Sequence, residues 1–486
     1  MNRSPKSHRR LQSIILIGFI IFLSGCKKKS ESVEPPHPKP VAKFSFLITN
    51  SGTLPCTVNF TDSSKNANTY HWDFGDGNTS NLQNPTNNYA SAKTYNVKLV
   101  VSNDYGKDSV VKTVTIAQGK PKANFTFTIS NPQTLPVVLT CSNTSVGSNL
   151  SYLWSFGDGN TSTQASPINS YTSGGIFNIK LQVTSAGGTD TISKQIKISP
   201  YSQSYVDFNA VTLNLYAWKG NGVMILSRNN NLNRAAMFKW LAAMEKTYAF
   251  YKSCTGMDPA VNSPTFIDSC TTIADVPATC GAGCGYLGFT GIEMQNTYFD
   301  VMYNAINNNN QYDQEVFYEF GRNFWFYGPQ LAYKTNDPIT TGYAVFMRFM
   351  AMDASGVNGA PFGSWTFATF ETNVQNLIDT YLADPSLNWA NTLGANQGIA
   401  NSSLGATDLF ASFCFRLRRD YGGDTFVKNL WKNAALRPAA NTTQDAVDNF
   451  VLAACATANK NLTSLFMNTW RWPVSANAQN EALKYP

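Results

Sequence analysis

The residues best able to do chemistry lie in one short segment, from Tyr318 to Trp325. It contains a carboxylate, Glu319, and a guanidinium three positions later, Arg322. On a helix these two side chains are neighbours and can form an ion pair. Glu315 shares the helical face of Glu319, and a pair of carboxyl groups can act as the acid and the base in hydrolysis. Carboxylates on one helix are more often ion-pair partners or a solvated face, so both interpretations stay open.

The same segment resembles the metal-binding helix of zincin metallopeptidases. In that family a His-Glu-x-x-His motif offers two imidazoles to Zn²⁺ from positions i and i+4, and the Glu between them activates a water molecule. Here the two ligand positions hold Tyr318 and Arg322, and only Glu319, at the general-base position, is retained. A second segment, 461–473, is similar to the C-terminal helix of enhancin-like gluzincins. The resemblance implies a zincin-like fold for residues 204–486 and would give Glu319 the catalytic role.

Histidine is absent from this whole C-terminal region. The three histidines of the chain are His8, His37 and His71. Zinc hydrolysis of the zincin kind, and Ser–His–Asp or Cys–His hydrolysis, all depend on imidazole groups. The helix expected to supply the third, glutamate ligand of a gluzincin spans Thr341 to Met350 and contains no acidic residue. The usual activity of the family is therefore not expected.

We instead predict a relic pocket that binds a ligand and needs no metal and no cofactor. Glu319 and Arg322 are expected to form a structural ion pair. Tyr318, Arg322 and Trp325 are the candidate binding residues, because aromatic rings can stack on sugar rings. Packing of these aromatic side chains between helices is the alternative. A peptidase-like or carbohydrate-active hydrolase that uses Glu319 with non-standard partners is the competing function.

Six cysteines of the C-terminal region are candidates for disulfide bonds. Four of them fall within 31 residues, and clustered cysteines in an exported protein pair more often than they bind metal. A zinc site is the sharper alternative, although the spacings lack its Cys-x2-Cys pairs. The pairing cannot be deduced from the sequence. The six residues are Cys254, Cys270, Cys280, Cys284, Cys414 and Cys455.

A mainly α-helical (α+β) domain, 204–486, is expected to position these residues. Met237 and Leu241 share one helical face, and so do Val447 and Phe450. Further helices are predicted at about 294–308, 312–327, 341–353, 368–382, 406–420 and 461–471. A small sheet is predicted near 205–230 and 282–293.

An internal repeat precedes this domain. Trp-Asp-Phe-Gly-Asp-Gly-Asn at 72–78 returns as Trp-Ser-Phe-Gly-Asp-Gly-Asn at 154–160, 82 residues later. Strands with period-2 apolar residues follow both copies, as in Tyr95–Val101. The signature resembles the PKD domain, an immunoglobulin-like β-sandwich common on bacterial surface proteins, and covers 41–118 and 121–199. The expected fold is therefore multidomain, with two β-sandwiches followed by the zincin-like domain.

The N-terminus has the pattern of an export and lipidation signal. A basic stretch is followed by an apolar run, Ile14 to Leu23, which is too short to span a bilayer. Leu-Ser-Gly-Cys at 23–26 resembles the lipobox of bacterial lipoproteins. Residues 1–26 are thus predicted to be signal peptide and lipobox, with Cys26 acylated as a membrane anchor and 27–40 a proline-rich linker. An ordinary signal peptide with a chance cysteine is the alternative.

The charge balance argues against a nucleic-acid partner. Four basic residues lie in the predicted signal, which leaves 33 basic against 30 acidic residues. Such a balance provides no basic field suited to nucleic acid. We predict a lipoprotein of the cell envelope, surface-exposed on the outer membrane, that presents a non-catalytic head to an extracellular glycan or protein ligand. A purely structural surface component is a third possibility.

Overall fold

The computed structural model describes residues 37–331, 338–400 and 402–486. The predicted signal peptide, the lipidation residue Cys26 and most of the linker lie outside these residues. Within the described part of the chain, no helix combines the length and apolar character needed to cross a bilayer. The chain forms two compact units, one ending at Gly119 and one beginning at Lys120.

The first unit is a β-sandwich of two antiparallel sheets. Its strands are β1 Phe44–Ile48, β2 Cys56–Asp62, β3 Thr69–Asp73, β4 Thr79–Ser80, β5 Thr86–Tyr89, β6 Thr94–Asn103 and β7 Gly106–Thr115. One sheet has the order β1-β2-β5 and the other the order β4-β3-β6-β7. Alternate residues of β6 point inward, so Val97, Leu99 and Val101 are buried with Trp72 between the sheets.

The second unit begins with a sandwich of the same topology. Its strands are β8 Phe125–Ile129, β9 Val137–Asn143, β10 Ser151–Ser155, β11 Thr161–Ser162, β12 Ile168–Tyr171, β13 Gly175–Ser185 and β14 Gly188–Ile198. The two sheets have the orders β12-β9-β8 and β11-β10-β13-β14. Trp154 and Cys141 are buried in the core, and burial raises the pKa of the Cys141 thiol to about 11. Cys141 is therefore a packing residue rather than a reactive thiol.

The repeated Gly-Asp-Gly segment forms a tight turn in each sandwich. In the first, Gly75 and Gly77 have φ values of 76° and 96°, which favour glycine because a Cβ is disfavoured there. The carboxylate of Asp76 accepts the backbone N–H of Asn78 at 3.0 Å and the side-chain amide of Asn87 at 2.7 Å. The second copy repeats these bonds. The aspartate is thus part of the turn itself.

A mixed sheet follows the second sandwich. Its strands are β15 Tyr201–Val206, β16 Thr212–Lys219, β17 Val223–Ser227, β18 Phe266–Ile267, β19 Cys270–Val276, β20 Gly283–Gly285 and β21 Ile292–Gln295. The order is β15-β16-β17-β19-β21-β20, with β18 paired to β19. Strands β17, β19 and β21 run parallel, and β20 returns antiparallel at the edge. The helix Glu315–Asn323 lies against the edge of this sheet, where it contacts β20 and β21.

Helices complete the C-terminal region and pack on the sheet. They are α1 Arg234–Thr255, α2 Asn296–Asn309, α3 Glu315–Asn323, α4 Gly328–Leu331, α5 Pro338–Ser355, α6 Phe367–Ala383, α7 Ala406–Tyr421, α8 Gly423–Ala435, α9 Thr443–Ala458 and α10 Ala476–Ala482. The fold class is the one predicted, two sandwiches and then a helix-rich region with a mixed sheet. Some details differ. The helix expected over 312–327 is shorter, since α3 ends at Asn323, and 461–471 contains a π-helical turn, Leu465–Thr469. Helices α8 and α10 were not predicted.

Candidate functional site

Helix α3 carries the residues that the sequence singles out. Val316, Phe317 and Phe320 are buried in the main core and fix the rotation of the helix. Gly321 allows a close approach to α5, since a Cβ at this position would lie 3.1 Å from the Cα of Ala344. The remaining face of α3 is pressed against strand β20, and this contact determines what its polar side chains can do.

Glu319 and Arg322 together hold one residue of the edge strand, Gly285. The N–H of Gly285 donates to Oε2 of Glu319 at 2.6 Å, and Nε of Arg322 donates to the carbonyl oxygen of Gly285 at 3.1 Å. The same Nε lies 3.4 Å from Oε2 of Glu319. The ion pair that the spacing predicts is therefore present, and it satisfies both backbone groups of Gly285.

Asn323 extends this contact and was missed by the sequence analysis. Its side-chain amide nitrogen donates to the carbonyl oxygens of Tyr286 at 3.1 Å and Gly291 at 3.0 Å. The position of Asn323, directly after the Glu-x-x-Arg segment, was the feature of the sequence that could have drawn attention to it. Because Glu319, Arg322 and Asn323 all bind the backbone of 285–291, we call these three side chains the backbone clamp.

Glycines on β20 make the clamp possible. A Cβ on Gly285 would lie 2.6 Å from the carbonyl oxygen of Glu319, whereas one on Gly283 would meet the side chain of Met294 on the neighbouring strand β21. Real Cβ atoms do not approach other atoms this closely, so only glycine allows α3 to reach the strand. The glycines at every second position of 281–285, Gly-Ala-Gly-Cys-Gly, were the feature of the sequence that indicates this close approach.

Substituting Gly285 with Ala is expected to destabilise the C-terminal domain by about 2 kcal/mol, because the added methyl group must displace helix backbone. Gly281→Ala is the matched control, since its Cβ would meet only the Gly283 carbonyl oxygen, at 3.9 Å. Urea unfolding of both variants measures the difference. Equal stability of the two variants would show that the contact between α3 and β20 is looser than described.

Burial dominates the electrostatics of Glu319. The side chain is 4% exposed, and burial raises the pKa of Glu319 to about 7, with a further upward contribution from Glu315. Arg322 and the Gly285 N–H act in the opposite direction. Burial and Asp313 likewise raise the pKa of Glu315. The clamp therefore holds a carboxyl group that takes up a proton near neutral pH.

Arg348 on α5 is a further charged residue of this site that the sequence analysis missed. It is 6% exposed, and its guanidinium lies 5.9 Å from the ring centre of half-buried Tyr318 and 4.0 Å from Oδ1 of Asp408. Burial lowers the pKa of Arg348. The apolar sequence around Arg348 masked it, because such a helix indicates core packing.

Trp325 requires a correction as a candidate binding residue. It is 4% exposed, and its ring packs edge-on against Tyr327 and Tyr343. Helix α3 ends at Asn323, and the chain then turns into the core. Packing between helices, the alternative considered for these aromatic side chains, therefore describes Trp325. Tyr318 and Arg322 keep exposed surface, and Arg322 is 32% exposed.

The zinc site implied by the resemblance does not fit these residues. Tyr318 and Arg322 occupy the ligand positions, and the Arg322 cation lies against the Glu319 carboxylate where a divalent cation would be repelled. In the part of the chain that the structure describes, no three His, Cys, Asp or Glu side chains are grouped so that they could hold a metal ion.

The cysteine expectation is met only in part. Cys280 and Cys284 form a disulfide bond beside β20. Cys254, Cys270, Cys414 and Cys455 are a correction, because all four are buried free thiols. Each packs in its own surroundings: Cys270 belongs to the cluster on the outer face of the sheet, whereas the other three lie in the large helical core.

The comparisons with known proteins concern mainly the sandwiches. The model of the PKD domain matches residues 36–117 and 118–199, so this chain carries two PKD domains. A curated relative, the pre-pro-metalloprotease PrtV of Vibrio cholerae serotype O1, is 37% identical over 97 residues. That match covers 20% of this chain and 10% of the length of PrtV.

Two solved structures are also similar to parts of this chain. The PKD1 domain of the Vibrio cholerae metalloprotease PrtV is 37% identical, and the match covers 16% of this chain and 96% of that domain with a TM-score of 0.15. The ZmpB metallopeptidase from Clostridium perfringens is 13% identical, with 76% of this chain and 77% of that chain covered and a TM-score of 0.33.

Proposed function

We propose that this protein is a non-catalytic, lipid-anchored surface protein whose C-terminal domain binds a glycan or protein ligand. Cys26 would carry the anchor, residues 27–40 the spacer, and the two PKD domains the stalk. The C-terminal domain, 204–486, would be the head that meets the ligand. The curated relative with a matching PKD domain is a metalloprotease, which supports an extracytoplasmic, protease-related origin for this arrangement.

The observation that carries the proposal is the engagement of Glu319. A general base must present a free lone pair to a substrate or water at hydrogen-bond distance. Oε2 of Glu319 instead accepts the N–H of Gly285 and lies beside Nε of Arg322, and the side chain is almost fully buried. Holding the sheet edge is the role that these contacts support.

A hydrolase that uses Glu319 is the second candidate, and one observation favours it. The raised pKa of Glu319, about 7, is the range in which a general acid or base works best at neutral pH. Arg322 and Arg348 could then stabilise a developing negative charge. Two carboxyl groups on one helix, Glu315 and Glu319, would supply the acid and the base.

Probing the full chain against arrays of glycans and peptides tests the proposed function. We expect retention of one ligand class, and we expect the same retention by the Glu319→Gln variant, because Gln keeps an acceptor for Gly285. A variant lacking exposed aromatic surface at the site, Tyr318→Ala, would weaken binding if the ligand lies over α3. Failure of the full chain to retain any glycan or peptide would contradict the proposal and favour a purely structural component.

A further inference from the structure

We propose that the cleft between the second PKD domain and the C-terminal domain is a binding site for a sugar that carries a carboxylate. The proposal rests on the proposed binding function and deepens it, because it names a site and a ligand class. The cleft lies inside the second compact unit and away from helix α3. Its volume is about 400 Å³, which is sufficient for one or two sugar rings.

The cleft exists because two domains are joined almost without a linker. Strand β14 ends at Ile198 and β15 begins at Tyr201, so the last strand of the sandwich leads directly into the first strand of the sheet. A Cβ on Gly174 would lie 2.4 Å from the carbonyl oxygen of Pro200, so the sandwich loop at 172–175 packs tightly on this junction. One wall of the cleft is therefore sandwich and the other is sheet and helix.

The charge in the cleft comes from Arg234, at the start of α1. Three of its guanidinium N–H groups donate to backbone carbonyl oxygens, those of Pro132, Gln133 and Ser199. A guanidinium has five N–H groups, so two remain for another acceptor. No carboxylate of the described residues lies within 4.0 Å of Arg234, in contrast to the arginines of α7.

The guanidinium of Arg234 lies over the ring of Phe238, 4.9 Å from its centre, but it has no anionic partner among the described residues, and a cation of this kind in a cleft favours an anionic ligand. Burial lowers the pKa of Arg234, because partial removal from water disfavours the charged form. A carboxylate is a suitable partner because its two oxygens match the fork of a guanidinium. The charge of the cleft is thus complementary to a carboxylate.

The remaining walls indicate that the carboxylate belongs to a sugar. Tyr216 of the sheet and Leu232, just before α1, are half-buried at the cleft and offer apolar surface on which a sugar ring can stack, whereas Trp218 behind them is buried. Opposite them, Thr172 and Ser173 and the adjoining backbone offer hydroxyl and amide groups. A ring with one apolar face, several hydroxyl groups and one carboxylate matches all three surfaces.

Isothermal titration calorimetry of the full chain with glucuronate and with N-acetylneuraminate tests the proposal. Glucose, which has a sugar ring but no carboxylate, and acetate, which has a carboxylate but no ring, are the controls. We expect saturable binding of at least one sugar acid, with glucose and acetate each weaker by about tenfold or more. Binding of glucuronate would indicate a uronic acid as the ligand, and binding of N-acetylneuraminate a nonulosonic acid. No saturable binding of either sugar acid, or acetate binding as tightly as both, overturns the proposal.

Matched tryptophan substitutions localise the binding. Ser173→Trp fills the cleft from an exposed loop position and leaves the core untouched, and Ser91→Trp places the same side chain at the equivalent position of the first sandwich. We expect Ser173→Trp to weaken binding about tenfold and Ser91→Trp to leave it unchanged. Tyr216→Ala should also weaken it. If an arrayed ligand is retained equally by Ser173→Trp, the cleft is wrong while the proposed binding function stands.

Discussion

Replacing Glu319 with Ala is expected to lower the free energy of unfolding of the C-terminal domain by about 3 kcal/mol more than replacing it with Gln. The Ala variant leaves the buried N–H of Gly285 without its acceptor and opens a cavity beside Arg322. Gln retains an oxygen at the same position and fills nearly the same volume. Urea unfolding at pH 5, followed by tryptophan fluorescence, measures both variants where the carboxyl of the wild type is largely protonated.

Glu371→Ala is the control for this prediction. Glu371 is likewise a helical glutamate, but it is only half-buried, and its carboxylate accepts a hydrogen bond from Gln375 of the same helix at 3.0 Å. Its loss is expected to change stability by only about 0.5 kcal/mol. Equal effects of Ala and Gln at position 319 would show that the bond between Glu319 and Gly285 does not stabilise the domain.

Acidification from pH 8 to pH 5 is expected to stabilise the wild type relative to a Glu293→Gln variant by about 2.5 kcal/mol. Glu293 is fully buried, and burial raises its pKa to about 7, whereas its ordinary value is 4.5. The folded state therefore binds a proton more tightly than the unfolded state. Stability from this group is present in full below pH 4.5 and is lost as the pH rises through 7.

The contacts of Glu293 explain why Gln isolates this effect. Oε1 accepts the Tyr205 hydroxyl at 2.9 Å and the N–H of Phe208 at 2.8 Å, and both bonds can be made to the oxygen of Gln. Glu481→Gln is the control, because ion pairing with Arg437 lowers the pKa of Glu481 to about 2. The difference in free energy of unfolding between Glu481→Gln and wild type is expected to stay constant between pH 5 and pH 8. A similarly flat curve for Glu293→Gln would contradict the prediction.

The sandwiches were the most predictable part of the fold, because alternation along strands such as β6 reports burial directly. Strand β19, Cys270–Val276, gave no such pattern, since all seven of its residues are buried. A strand covered on both faces loses its alternation and cannot be told from part of a helix. The order of the mixed sheet was equally out of reach, because it depends on contacts between distant strands.

The candidate site likewise has one contact that local sequence predicts and others that depend on the fold. The spacing of Glu319 and Arg322 predicts their ion pair, because i and i+3 positions are neighbours on any helix. Their contact with Gly285 depends on which strand lies against α3, which local sequence does not contain. Asn323 was missed for this reason, whereas Arg348 was masked by the apolar sequence of α5. Cysteine pairing likewise depends on the fold, and among the cysteines that the structure describes, Cys280 and Cys284, four residues apart, are the pair that is joined.

We propose above all that Glu319 is a structural residue of the backbone clamp and not a catalytic base. The most direct test of this proposal is a comparison of hydrolysis by the full wild-type chain and by Glu319→Gln, on casein, mucin and any ligand retained on the arrays, with zinc content measured in the same preparations. We expect no product from either protein and no stoichiometric zinc. Product release by the wild type that disappears in Glu319→Gln, or one zinc ion per chain, would contradict it.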